Sequence, residues 1–539
     1  MNHTQVLIVG AGPVGLTLAL ELGQQGVACR VVDKRPAPGF LPKMERCNAR
    51  TMEIYRRLGL AERIREAGLD NDIPMDVFIC AVDITRPPLV HHEYPSVNAL
   101  KERSAACRDG SEPAEPYQLI SQYTLEPLLV EEARKTPGVE VEFDSELVSL
   151  DDHGDSVTAA VVSADGQLRR MGSDYLVGCD GAASTVRREL GIDLEGDSLL
   201  ELRQALFYSE DLFDRIPIGR GRHYHVADDR SSFLIVQDDT RHFSLHATVE
   251  SDEEMPRLFE EIVGMDVSYE TLYVGKWRQR LMVAERYRQG RVLMAGDAVH
   301  LVIPTGGLGM NTGAGDASDL GWKLAAVLQG WGGEHLLDSY EAERRPIGIR
   351  NVAASRKAAE GRRAWRSLWE PEITDDTAEG QRVRTRLAER ADLEQRWSND
   401  LLGIEMGYRY VGSPLTCDEV GGPDPDSFRY VPTTWPGARL PNVWLRDGRA
   451  LQDAVGREYT LLRVGEGKSV DTSAVERAYV DLGIPFSVLD VDSEDAASVF
   501  GCALVLVRPD LHVVWRGNGP PEEPVSVALR SAGHVGAKS

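Results

Sequence analysis

Paired cysteine is the first thing this sequence lacks. Its seven cysteines, Cys29, Cys47, Cys80, Cys107, Cys179, Cys417 and Cys502, are odd in number and scattered, with no CxxC pair. That excludes a disulfide framework and a cysteine-based zinc site, so no metal centre is expected, and it fits a reducing compartment. Basic charge is scarce too. Sixty Lys and Arg stand against 85 Asp and Glu, for a net charge of −25, which makes nucleic acid and anionic membranes poor partners. No run of ~18 uncharged apolar residues exists to cross a bilayer. The first apolar run contains Gly10, Gly12 and Gly15 with no basic segment ahead of it, so it does not read as a signal peptide. A cytoplasmic location is expected.

What is present is an ordinary globular composition, 42% hydrophobic and 27% charged, over 539 residues, enough for roughly three domains at ~150 residues each. The opening "TQVLIVGAGPVGLTLALELGQQGVACRVVDKR" reads as a strand, a tight turn, a helix and a second strand. Residues 48–68 and 123–136 have helical periodicity, the former broken at Gly59. Residues 101–116 are polar and without period, and read as a mobile loop. Period-two alternation from about 139 to 167 and in short runs over 200–285 predicts antiparallel strands. A long helical region follows residue 324, residues 412–441 read as a Pro- and Gly-rich linker, and strands alternate with helices in the last ~100 residues.

Three motifs carry chemistry. In Gly10-Ala-Gly12-Pro13-Val-Gly15, the first glycine permits the turn. The second lets a pyrophosphate approach the backbone, and the third lets helix and strand pack closely. The following helix N-terminus favours phosphate. Asp33 ends the second strand, placed for a ribose, with Lys34 beside it. This turn alone does not separate FAD from NAD. The second motif, "YLVGCDGAASTVRREL", ends a strand at Asp180-Gly181. On its own it is equally a turn into a helix capped by Ser184. The third, "AGDAVHLVIPTGGLGMNTGAGD", ends a strand at Gly296-Asp297, where a carboxylate can accept from polyol hydroxyls. It then runs through Pro304, Gly307 and Gly309 into a helix near Met310-Asn311. Glycines let a flat ligand approach the backbone, and the helix N-terminus suits the anionic N1–C2=O edge of a reduced flavin.

In order and spacing these motifs resemble the class A FAD-dependent aromatic hydroxylases, the para-hydroxybenzoate hydroxylase and phenol hydroxylase superfamily, over about residues 1–355. The resemblance implies an α/β fold with a glutathione-reductase-type FAD-binding Rossmann domain, discontinuous over 1–75, 102–190 and 286–360. An antiparallel-sheet substrate domain (76–101 and 191–285) is inserted in it. A helical region and linker (361–433) then leads to a thioredoxin-like domain (434–539) without CxxC, for which packing or dimerisation is a better role than redox work by Cys502.

It also implies FAD as cofactor, NAD(P)H docking transiently as co-substrate, O₂, a small phenolic substrate hydroxylated through a C4a-hydroperoxyflavin, and a homodimer. Arg46 or Arg50 would lie near the phosphates and ribityl chain, and Gln122 would contact FAD. Asp180 would serve FAD and NAD(P)H, and Asp297 would hold the ribityl chain. Pro304 would face the reactive edge of the flavin, and Gly307 to Asn311 would give backbone contacts to the pyrimidine ring. His300 fits the family's GDAxH pattern or is an interior histidine.

A phenol needs a base. The candidates are His223, Tyr224 and His225, of which the two histidines share a strand face, His242 and His246, and Glu45, where some relatives carry an acid near the substrate. His225 is preferred narrowly. A polyketide- or antibiotic-type substrate on the same scaffold is the alternative, and a non-catalytic flavin-binding protein a more distant one.

Overall fold

The computed structural model describes residues 2–536 as three large sheets and one two-stranded sheet with their covering helices. The first sheet has a parallel centre in the order Val292–Met294, Leu168–Gly178, Asn2–Val9, Cys29–Val32 and Val139–Glu142. The strands Asn2–Val9 and Cys29–Val32 carry a nearly unbroken run of buried Val, Leu and Ile, because both faces of a parallel sheet are covered. Leu168–Gly178 does double duty. Its first half pairs antiparallel with Val157–Ser163 while its end joins the parallel centre. All the central strands end on one side, so the turns after Val9, Val32, Gly178 and Met294 meet at one crevice. Open parallel sheets bind ligands at such a place.

Two helices flank that crevice. Pro13–Gln24 starts with proline in its first turn and is buried along Leu16–Leu22, and Gly309–Leu328 packs against it. The second sheet runs His300–Leu301, Glu270–Ala284, Leu194–Tyr208, His242–Ala247, Phe233–Val236, His223–Val226, Val77–Cys80 and Val90–His92. All its pairs are antiparallel except His223–Val226 with Val77–Cys80. The edge strand His300–Leu301 lies just after the Gly296-Asp297 turn, so the crevice and the second sheet are joined within three residues.

Alternation divides the second sheet's faces. Tyr224, Leu234, Leu245 and Ala205 lie side by side in register and face an apolar core with Phe259 and Ile262. The opposite face presents the rows His223–Ile235–Ser244 and His225–Phe233–His246–Gln204. Over part of it lie the end of the 29-residue helix Asp338–Arg366 and the segment 395–405, while Ala378–Glu394 packs on Val90 and Trp365.

The third sheet, Phe486–Asp490, Tyr459–Arg463, Leu504–Val507 and Val513–Gly517, has one parallel pair and two antiparallel pairs, with Ser473–Val480 as crossover helix. This is the thioredoxin-like arrangement. Its apolar core is continuous with Trp322, Trp331 and Leu336 of the first domain.

Two sequence expectations are corrected. The 101–116 stretch is not a loop throughout. Val97–Ala106 is helical, capped by Ser96, whose hydroxyl accepts from Ala99 N. The signal was masked because a polar helix with only two buried residues shows little apolar period. Residues 412–441 are not a free linker. Leu415, Thr416, Tyr430 and Thr434 are buried, and Arg439 bridges to His512. Among the described residues no helix is long and apolar enough to cross a membrane.

Candidate active site

The first motif forms a tight turn at the crevice. Gly10 has φ +110°, and a Cβ there would meet Cys179 O at 2.3 Å. A Cβ on Gly15 would sit 2.0 Å from Gly10 O, whereas one on Gly12 would meet nothing within 4 Å. Gly10 and Gly15 are therefore required by the protein's own packing, and Gly12 faces open space. The helix starting at Pro13 has no side-chain cap, leaving its first N–H groups for an anion.

Asp33 accepts from Ala11 N at 2.8 Å and is gripped by Arg35, which also reaches Glu126 and Ala11 O. Burial pushes the Asp33 pKa up, and the hydrogen bonds and charge of Arg35 outweigh it, so it lies below the usual value. Gln122 donates to Glu126 at 2.5 Å. The sequence reading named Asp33 and Gln122 and missed Arg35 and Glu126, which join them. Lys34 is exposed beside this group.

Asp180 is spent locally. Its oxygens accept from Ser184 Oγ, Thr185 N and Val186 N, capping the short helix Thr185–Glu189. Arg187 then ties this turn to Ala298 O at 2.8 Å, a brace the sequence did not suggest. Asp297 contrasts with it. It makes no hydrogen bond among the described residues and is open to water, yet lies deep in the crevice. Burial by surrounding protein raises its pKa, and His300 and Lys43 only partly offset this. An unengaged carboxylate at this depth fits a polyol chain. His300 is interior, with Nε2 2.7 Å from Asp316, which also accepts from Gly296 N and Arg344.

The glycine loop follows. Pro304 is exposed in the crevice, and its carbonyl accepts from Gly307 N at 2.8 Å. Gly307 has φ +63°, and a Cβ there would lie 2.8 Å from Arg46 Nε. Arg46 donates to Gly306 O and Glu405, each at 2.9 Å. The Asn311 side chain bonds Asn48 N, Arg46 O and Gly307 O, fixing the loop against the Arg46–Cys47 strand. The helix beginning at Gly309 has no side-chain cap, so backbone N–H groups of Gly309, Met310 and Asn311 remain for a ligand. The crevice, the unengaged Asp297 and this uncapped terminus together fit FAD. Arg50 does not reach the crevice. It lies under the helix against Tyr408 OH and Asp510 O, because the Ala49–Arg57 helix turns it inward, so Arg46 is the arginine of this pair that faces the site.

The strand Arg46–Cys47 pairs with Gln118–Leu119, and Ile120 N donates to Glu45 O, which fixes Glu45 beside the glycine loop. Glu45 Oε2 lies 2.5 Å from His223 Nε2, while His223 Nδ1 is buried without a partner. Burial lowers the His223 pKa despite Glu45, so the ring is neutral at pH 7. Glu45 stays ionised, held well below the usual value by His223, Arg222 and Arg46 against the effect of burial. With Glu45 accepting from Nε2–H, Nδ1 carries the lone pair.

His225, the sequence preference, is corrected. It is 0% exposed, with Nε2 3.1 Å from Gln395 and Nδ1 3.5 Å from Arg366, behind Phe233 and Trp365. Both nitrogens are engaged in packing, which strand alternation alone could not reveal. Tyr224 lies on the core face, and His242 sits among Phe40, Tyr123 and Tyr208, bonded to Asp239. His246 stacks on Phe233 at 4.8 Å and meets Trp277 edge-on. Asn399 and Glu405, from a segment some 350 residues beyond Arg46 in the chain, also line this space. No local pattern could have found them.

Comparison with known proteins agrees with this geometry. The FAD binding domain family matches residues 3–355, and the aromatic-ring hydroxylase C-terminal family matches 433–533. Aklavinone 12-hydroxylase RdmE of Streptomyces purpurascens is 32% identical over 96% of this chain and 95% of its own. The 4-methyl-5-nitrocatechol 5-monooxygenase of a Burkholderia species is also 32% identical, over 96% and 95%. The crystal structure of the flavin-dependent monooxygenase PieE with FAD and substrate superposes with a TM-score of 0.89 at 28% identity, covering 99% of each chain.

Proposed function

The chain belongs to the class A FAD-dependent aromatic hydroxylases, and from that premise we propose that it uses NADH or NADPH and molecular oxygen to hydroxylate a phenolic ring. The observation that carries this reading is the convergence of the uncapped 309–328 helix, exposed Pro304 and the Glu45–His223 pair on one crevice. FAD, when bound, supplies the electron storage and oxygen activation.

The chain's own residues do the rest. The Gly10–Gly15 turn and the Pro13–Gln24 helix would take the pyrophosphate, with the Asp33–Arg35–Glu126–Gln122 group around the adenosine side. Asp297 would hold the ribityl chain, and the N–H groups of 309–311 would face the pyrimidine edge. Neutral His223 would take the phenol proton at Nδ1, with ionised Glu45 holding the ring and stabilising the imidazolium. The face carrying Phe233, His246 and Trp277 would hold the substrate ring and exclude water.

The reading extends to polycyclic, polyketide-type phenols, since one relative is named for hydroxylating aklavinone. Oxidation of NADH and NADPH by the purified holoenzyme would be followed with a panel of simple and polycyclic phenols, with product and peroxide quantified. Stimulation with one hydroxylated product per NAD(P)H is expected. No stimulation by any phenol would overturn the reading.

A further inference from the structure

One arginine of the ring pocket has no partner of its own. Arg362, near the end of the Asp338–Arg366 helix, sits half-buried with its guanidinium 5.0 Å above the Phe233 ring. Among the described residues it makes no ion pair and no hydrogen bond, and its Nε is buried without a partner. Arg222, 4% exposed, shares the space. It donates to the neutral Asn399 side chain, and its Nε is also unpartnered. Glu45 faces both and is already bonded to His223, and Glu405 faces Arg222 as well. Arg46 is balanced by Glu405, and Arg366 donates to Val226 O and Ser232 O and pairs with Asp228 at 3.6 Å. His223 Nδ1, His246 Nδ1 and Trp277 Nε1 add three further unpartnered buried polar atoms around the same aromatic face.

A partly desolvated guanidinium with no hydrogen-bond or ion-pair partner is costly, and several unpartnered groups converging on one apolar face are the signature of a ligand site. We propose that Arg362, backed by Arg222, is an anion subsite of the ring pocket, and that the substrate is an aromatic acid whose ionised carboxylate pairs with Arg362 while its ring lies on the Phe233–His246–Trp277 face. This rests on the hydroxylase reading above and narrows its substrate class. Burial and the like charge of Arg366 push the Arg362 pKa down to about 9, so an incoming anion relieves an existing penalty there. Arg suits the role because its planar fork matches a carboxylate.

The test titrates the FAD-loaded protein with matched pairs, salicylate against salicylamide and hydroxynaphthoate against hydroxynaphthamide, reading the visible flavin spectrum. The acid of at least one pair is expected to bind roughly tenfold or more tighter than its amide, with a preference that shrinks in high salt. Arg362→Gln should reduce the acid-to-amide ratio to near unity, and Arg362→Lys should restore part of it. FAD content and thermal midpoint of each variant show that it is folded. Equal binding of acid and amide by the wild type, no binding of either in both pairs, or a ratio unmoved by Arg362→Gln would overturn the proposal. Binding read this way needs no turnover. A protein that prefers the acids but never hydroxylates would therefore uphold the subsite and sink the hydroxylase reading. One that hydroxylates while ignoring the carboxylate would do the reverse.

Discussion

Single residues divide cleanly into those the fold requires and those the crevice requires. Gly12→Ala adds a Cβ that meets nothing within 4 Å at an extended backbone position with φ −80°. The variant should keep its thermal midpoint without FAD and lose affinity for FAD, read by flavin titration. Gly15→Ala drives a Cβ to 2.0 Å from Gly10 O and should destabilise the protein itself by roughly 1–3 kcal/mol. If the two variants behaved alike, the assignment of Gly12 to the phosphates would fail. His223 and Glu45 are the pair proposed for the chemistry. Glu45→Gln or His223→Asn should lower kcat roughly a hundredfold or more with FAD content unchanged. Because the His223 pKa lies below its ordinary value of 6.5, the basic ring persists on acidification past that value. The acid limb of kcat/KM should therefore fall below pH 6.5 and vanish in His223→Asn, which pH profiles with a saturating reductant would show.

Elements carry the coupling between domains. The 309–328 helix offers its N-terminus to the crevice and, farther along, buries Asp319 and Lys323 in an ion cluster with Glu343, Arg508 and Asp510. Arg508 comes from the thioredoxin-like domain and Glu343 from the 338–366 helix, so the cluster fastens three parts of the chain beneath the 309–328 helix. Arg508→Ala strands three carboxylates with one lysine and should cost ~3–5 kcal/mol in denaturant unfolding. A loss under 1 kcal/mol would show that the cluster does not brace the helix.

Burial and the neighbouring Glu343 raise the Asp319 pKa from 3.8 to about 7, against the pull of Lys323 and Arg508. The folded state thus holds a proton that the unfolded chain has released. This contribution is present below pH 3.8 and is lost as pH rises to about 7. The stability of Asp319→Asn relative to wild type should therefore improve over that range and level off above it. A difference independent of pH would contradict the shared proton.

At the scale of the whole molecule, the sequence was legible where physics is local. The GxGxxG turn, Asp33 at a strand end and the GD turn before a glycine loop each need their residues at short fixed offsets, so they could be read without coordinates. The alternation of 200–285 showed the second sheet and even which histidines share a face. What could not be read is which end of that face the 338–366 helix and the 395–405 segment cover. That covering engages His225, leaves His223 Nδ1 without a partner, and brings Arg362, Asn399 and Glu405 to the pocket across long stretches of chain. The Val97–Ala106 helix was missed for a related reason, since its few buried residues give no period.

On the proposed function, this crevice would insert one oxygen atom from O₂ into an aromatic ring. Turnover of the best panel substrate under isotopically labelled oxygen gas in ordinary water, with mass spectrometry of the product, tests it directly. One labelled oxygen in the new hydroxyl group, matched to one NAD(P)H consumed, is the result expected here. Unlabelled product, or peroxide with no product, would contradict it.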